Sequence, residues 1–240
     1  MGQKQVSYNS WPLGKLPKDF QRPELDLVKE LGYNWNDPRD VISTFESKVA
    51  EFAGAKHAVS VDCCTNGIFL CLKYLQSTGE ISSDTIITVP SRTYVSVPMQ
   101  IKHVGCSLRF RDYDWAGQYP LEGTRIWDSA VRWSKGMFTG GNTLQVVSFQ
   151  LKKRIPIGRG GMVITNDKEA ADWIRLASYD GRDLTTDYND INHFKMLGYH
   201  MYMTPEDAAR GIILMDKVPD INDDSGSHLN YTDLSNLSIF

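Results

Sequence analysis

The segment TLQVVSFQLKKRIPIGRGGMVITN, residues 143 to 166, sets two apolar runs on either side of a basic, glycine-rich hinge. Leu144 to Phe149 and Gly161 to Thr165 have the β-branched density and short length of buried strands, not of helices. Lys152 and Lys153 lie between them. An amine held where two core strands meet is partly desolvated, and desolvation favours the neutral, nucleophilic form that imine chemistry requires. A solvated basic turn between two strands is the plainer reading of Lys-Lys-Arg alone.

The surroundings of the lysines favour the chemical reading. SFQLKKRIPIGRGGMVITND resembles the lysine segment of the DegT/DnrJ/EryC1/StrS family, the pyridoxal-phosphate-dependent sugar aminotransferases, in which Ser-Phe precedes the lysine and Gly-Glu-Gly-Gly follows it. Ser148, Phe149, Gly158, Gly160 and Gly161 hold those places. The spacing to Gly158 puts the family's Schiff-base lysine at Lys153, with Lys152 where threonine is more usual and Arg159 in place of the glutamate.

The hinge belongs to a chain of ordinary globular composition. At 240 residues, 41% hydrophobic, it is long enough to bury a full core. A net charge of -3 offers no basic field for nucleic acid and no polybasic tract for an anionic membrane. The start, MGQKQVSYNSWPLGK, has no apolar run of signal-peptide length, and nothing approaches the roughly 20 apolar residues of a membrane span, so a cytoplasmic protein is expected. Cys63, Cys64, Cys71 and Cys106 show no CxxC spacing and are expected to be reduced.

Residues 1 to 38 are expected to form an extended arm with a short helix near Leu25 to Leu31, and residues 39 to 218 the main domain. Val41, Phe45, Val49 and Phe52 recur at helical spacing up to Gly54, with Ser43 or Asp40 as cap. HAVSVDCCTNGIFLCL then runs from a strand into a helix near Thr65, whose free amides and dipole suit a phosphate. It resembles the family's strand, Ser-Gly-Thr, helix segment, with Cys64 and Thr65 in the glycine and threonine places that hold the cofactor phosphate.

PSRTYVSV resembles the family's Pro-Ser-x-Thr-aromatic corner, which implies that Tyr94 stacks on the pyridine ring. The strand ending in Asp128 resembles Glu-Asp-Ala-Ala-Gln, whose aspartate pairs with the ring nitrogen and keeps it protonated; Val131 stands in the glutamine place. KEAADWIRLAS reads as a helix with Ala171, Ile174 and Leu176 inward. LGYHMYMTPEDAARG resembles the Gly-Tyr-Asn-Tyr-Arg-Met segment and puts His200 where an asparagine reaches the neighbouring subunit's phosphate, while Thr204 and Pro205 open a helix. Residues 219 to 240 look like a polar tail in place of the family's smaller C-terminal domain.

The resemblance implies an α/β fold, a three-layer α/β/α sandwich around a mostly parallel sheet, as in the large domain of a fold type I enzyme. It implies pyridoxal 5'-phosphate as cofactor, held by Cys64, Thr65, Tyr94, Asp128, Ser148, Lys153 and His200, with Lys153 catalytic. It further implies a homodimer with shared sites, a nucleotide-linked keto sugar as substrate and an amino acid such as glutamate as amino donor. A sugar dehydratase, in which histidine replaces the lysine, is disfavoured by Lys153. A degenerate scaffold or partner subunit is the other alternative, and Val131, Arg159 and His200 favour it somewhat.

Overall fold

A computed structural model describes residues 22–35, 37, 39–186 and 190–240. Most of the expected N-terminal arm, residues 1–21, 36 and 38, lies outside the described residues. The remainder of that arm forms α1 (Glu24–Glu30), and its Val28 is fully buried against the main body.

The strands are β1 (His57–Val61), β2 (Ile86–Pro90), β3 (Ser107–Arg111), β4 (Tyr119–Leu121), β5 (Ile126–Asp128), β6 (Leu144–Ser148) and β7 (Gly161–Thr165). Five of them form a sheet in the order β1-β7-β6-β5-β4, and β2 and β3 pair separately. A pair of backbone hydrogen bonds between Thr88 and Glu122, 3.0 and 2.9 Å, joins the two into one layer. Only β5–β6 and β2–β3 are parallel ladders; β1–β7, β6–β7 and β4–β5 are antiparallel. Direction tells more than ladder type. Because β7 and β4 run against both their neighbours, β1, β2, β3, β5 and β6 all point the same way. The C-terminal ends of those strands share one edge of the sheet, where ligands bind in α/β folds.

Two helical layers cover the sheet, as the strand alternation requires. Val59, Val61, Val146 and Val163 face α3 (Cys64–Ser77), α4 (Ser96–His103) and α5 (Lys168–Ser178). Ala58, Val147, Met162 and Ile164 face α2 (Asp40–Ala53) and α6 (Pro205–Met215), on which α1 packs. On α2 the expected stripe is buried through Val41, Phe45 and Val49, and Gly54 ends the helix in the left-handed region at φ 80°. Phe52 is only partly buried, and neither Asp40 nor Ser43 caps: the N-cap position is Arg39, whose side chain makes no capping bond. On α5 the inward face is Ala170, Ala171, Ile174 and Ala177. Leu176 lies off that stripe and is half-buried, because a 3.6-residue period carries the face from 174 to 177. Thr204 caps α6 by accepting from the Asp207 amide at 3.3 Å.

Residues 219–240 run back over the body. Arg132 holds Asp224 through two bonds of 2.9 and 2.7 Å, Gly117 N–H donates to Gly226 O, and Leu234 N–H donates to Ser91 O. Val131, in the place of the family's glutamine, is buried and its carbonyl accepts from Ser225. Its side chain packs against Gly226.

Candidate active site

Every expected site residue except His200 sits at, or just beyond, the C-terminal ends of strands that share the ligand edge. Cys64 and Thr65 open α3 directly after β1, Tyr94 follows β2, Asp128 closes β5, Ser148 closes β6, and Lys153 lies on the turn that leaves β6. The two helical layers and the strand directions bring these positions together, although Cys64 and Lys153 are 89 positions apart in the chain.

The lysine turn is fixed at both ends. Phe149 N–H donates to Gly160 O and Gly158 N–H donates to Phe149 O, closing a loop anchored by buried Ile155 and Ile157. Lys153 N–H donates to Gln150 O at 2.8 Å, and its side chain is half-buried, whereas Lys152 is exposed. Burial raises the pKa of both Asp128 and Cys64, and the charge of Lys153 lies close enough to both to oppose that rise. At the start of β7 a Cβ on Gly161 would lie 2.6 Å from the Cys64 amide nitrogen. Only glycine admits this approach of the lysine hinge to the start of α3.

The Cys63 side chain caps α3 by accepting from Asn66 N–H, while the amides of Cys64 and Thr65 before it have no intrahelical acceptor. Thr65 Oγ1 lies 2.7 Å from Ser96 Oγ, the first residue of α4, so two hydroxyls meet at that end. Arg159 pairs with Asp62 at 2.9 Å, and Asp62 in turn accepts from Asn66 Nδ2 at 2.7 Å. The cation in the family's glutamate place is thus matched by an acid beside the helix start. All four cysteines are free thiols, and burial pushes the Cys64 thiol well up.

Asp128 is 5% exposed. Its Oδ1 accepts from Ala130 N–H at 2.9 Å and its Oδ2 from the Tyr119 hydroxyl at 2.7 Å. Burial raises its pKa, against the lowering effects of Tyr119, the Ala130 amide and Lys153. Tyr94 leaves its ring open to solvent, 58% exposed. His200 stands apart from this cluster. Its imidazole is exposed, pairs with Asp180 at 3.1 Å and meets the Tyr202 ring edge-on. The residues after it return to the site, because Asp62 N–H donates to Met201 O at 2.8 Å.

Several groups at the site had no signal in the sequence. Tyr119 arrives on a three-residue strand, Ser96 looks like any helix start, and Tyr231 comes from the tail. Tyr231 stacks on Trp115 at 5.7 Å and lies close enough to Asp128, Cys64 and Tyr94 for their charges to raise its pKa, which burial carries to about 12.

A pyridine ring with a phosphate arm suits this donor set: an open aromatic face, a buried carboxylate without a cation bonded to it, an amine, and a helix start with spare amides. The spore coat polysaccharide biosynthesis protein SpsC of Bacillus subtilis (strain 168) is 26% identical over 243 residues, spanning 82% of this chain and 61% of SpsC. The structure of DesI in the presence of its TDP-sugar product superimposes with a TM-score of 0.57, at 21% identity, over 80% of this chain and 56% of DesI. GDP-4-keto-6-deoxymannose-3-dehydratase (ColD) with bound GDP-perosamine gives 0.62, at 15% identity, over 90% of this chain and 69% of ColD. This chain therefore spans about three fifths of SpsC's length. The model of the DegT/DnrJ/EryC1/StrS aminotransferase family matches residues 23–119 and 132–233, and the chain belongs to that family.

Proposed function

We propose that this chain is a pyridoxal-phosphate-dependent aminotransferase that moves an amino group from an amino acid such as glutamate to a keto sugar carried on a nucleotide. The observation that carries the reading is Asp128, a buried carboxylate bonded only to neutral donors, on the strand edge it shares with Lys153. A buried anion without a bonded cation is costly. A protonated ring nitrogen would supply that cation.

The chain's residues then divide the work. Thr65, Ser96 and the first amides of α3 hold the phosphate, with Cys64 at the helix start and Ser148 at the end of β6 completing the pocket. Tyr94 gives its open face to the ring. Asp128 keeps the proton on the ring nitrogen. Bound there, the cofactor supplies an electron sink for charge on the substrate carbon. Lys153 Nζ would hold the cofactor, and the same amine, when free, would move the proton at the substrate carbon as general acid and base. The nucleotide-sugar class is supported by DesI with its TDP-sugar product and ColD with GDP-perosamine. The lysine favours amino transfer over dehydration.

A homodimer with sites at the subunit boundary belongs to the same proposal. The segment leading to His200 exposes Ile191, Phe194 and Leu197, an apolar set that a second copy would cover. Sedimentation is expected to give a dimer, and a monomer that holds the cofactor tightly would contradict the shared site.

Adding pyridoxal phosphate to the purified protein is expected to give a visible absorption band that glutamate changes. Borohydride reduction and peptide mass mapping should then find the cofactor on Lys153. Label on Lys152, or on neither, would remove the assignment.

A further inference from the structure

β4 and β5 form a hairpin whose turn runs from Glu122 to Arg125. Gly123 takes φ 91° there, and a Cβ would lie 2.6 Å from Ile86 O, so the turn presses directly on β2. The register places Tyr119 opposite Asp128.

Tyr119 is 2% exposed. Its hydroxyl proton goes to Asp128 Oδ2, and the Thr93 hydroxyl, also 2% exposed, lies within hydrogen-bond reach of the phenol oxygen. With the phenol's only proton already given, Thr93 must be the donor to it. The chain of donation therefore runs Thr93 to Tyr119 to Asp128. Thr93 is the neighbour of Tyr94, so the loop that offers the stacking ring is tied to the carboxylate. Trp115 packs on the Tyr119 ring at 4.7 Å, and Trp115 Nε1 donates to Arg92 O on the same loop.

We infer that Tyr119 is a positioning residue for Asp128, which fixes the carboxylate's orientation and holds it ionised for the ring nitrogen, with Thr93 fixing Tyr119. Burial pushes the phenol's pKa well up, so the donor is present at neutral pH. The inference rests on the cofactor reading above. A structural role alone would alter stability but leave the cofactor's response to pH unchanged.

The test compares wild type, Tyr119→Phe and Thr93→Val by titration with pyridoxal phosphate, reading tryptophan fluorescence and the pH dependence of the visible band. Tyr119→Phe is expected to weaken binding roughly tenfold or more and to move the band's pH midpoint. Thr93→Val should move both in the same direction by less. If the Phe variant does not fold, by circular dichroism, the Thr93→Val comparison decides. Affinity and pH profile equal to wild type in the folded variants would overturn the inference. A wild type that takes up no pyridoxal phosphate would instead remove the cofactor reading, and the inference with it.

Discussion

Glu46 and Asp128 are both buried carboxylates, 8% and 5% exposed, one on α2 beside β1 and the other at the end of β5. Each has its pKa raised, with burial as the largest cause. Their partners differ. Glu46 Oε1 accepts from the Ser60 amide and hydroxyl, both at 2.8 Å, and its Oε2 takes the Arg175 guanidinium at 2.8 Å. Its charge is answered inside the protein, linking α2, β1 and α5. Asp128 has the same burial and hydrogen bonds of similar length, but both donors are neutral. One carboxylate is finished by the fold; the other is finished only when a cation arrives.

The largest effect expected from this difference is on turnover. Asp128→Asn should slow the amino-transfer half-reaction by roughly two to three orders of magnitude, measured in a single turnover, while leaving the fold intact. A rate within a few-fold of wild type would reduce Asp128 to a strand-end cap. Glu46→Gln should do the reverse. It leaves Arg175 without its anion and is expected to cost about 1–2 kcal/mol in urea unfolding, the low end for such pairs because the Arg175 side chain is 43% exposed. Its half-reaction rate should be unchanged once the protein is folded.

The pH dependence of stability tests the burial that the two carboxyls share. A carboxyl whose folded pKa is raised binds its proton more tightly in the folded state, so its contribution is fully present below the unfolded value near 4. It is lost as pH rises through the folded value. For cofactor-free protein, the stability of Asp128→Asn relative to wild type should therefore grow between pH 4 and neutral pH. A difference that stays constant across that range would mean that the Asp128 carboxyl is not raised.

Smaller effects are expected at the surface. Arg132→Ala breaks the two-bond hold on Asp224 and should cost about 1 kcal/mol, read by thermal unfolding. Arg159→Ala removes a pair whose arginine is 71% exposed and should change stability by no more than about 0.5 kcal/mol. A larger loss at Arg159 would show that the acid at the start of α3 needs a matched charge after all.

The strands around the lysine hinge were legible because β-branched runs of that length have few other uses, whereas the close approach of Gly161 to α3 appears only in the folded chain. Asp128 was legible as the end of a strand. Its partner was not: β4 and β5 are three residues each, too short to show a period, and the pairing of Tyr119 with Asp128 depends on hairpin register. The course of residues 219–240 was equally hidden, since its contacts are between residues far apart in sequence, as in the bond from Trp115 N–H to His228 Nδ1 across 113 positions. Arg159 looked like a lost acid until its neighbour Asp62 was seen. On α5 the sequence pattern chose Leu176 by hydrophobicity, and the helical period chose Ala177.

The most direct test of the central claim is the protonation of the cofactor's ring nitrogen, followed by nitrogen-15 NMR of labelled pyridoxal phosphate bound to the protein at neutral pH. Wild type and Glu46→Gln are expected to hold the nitrogen protonated, and Asp128→Asn to hold it unprotonated. An unprotonated nitrogen in wild type, or a protonated one in Asp128→Asn, would contradict the assignment of Asp128's unmatched charge to the ring.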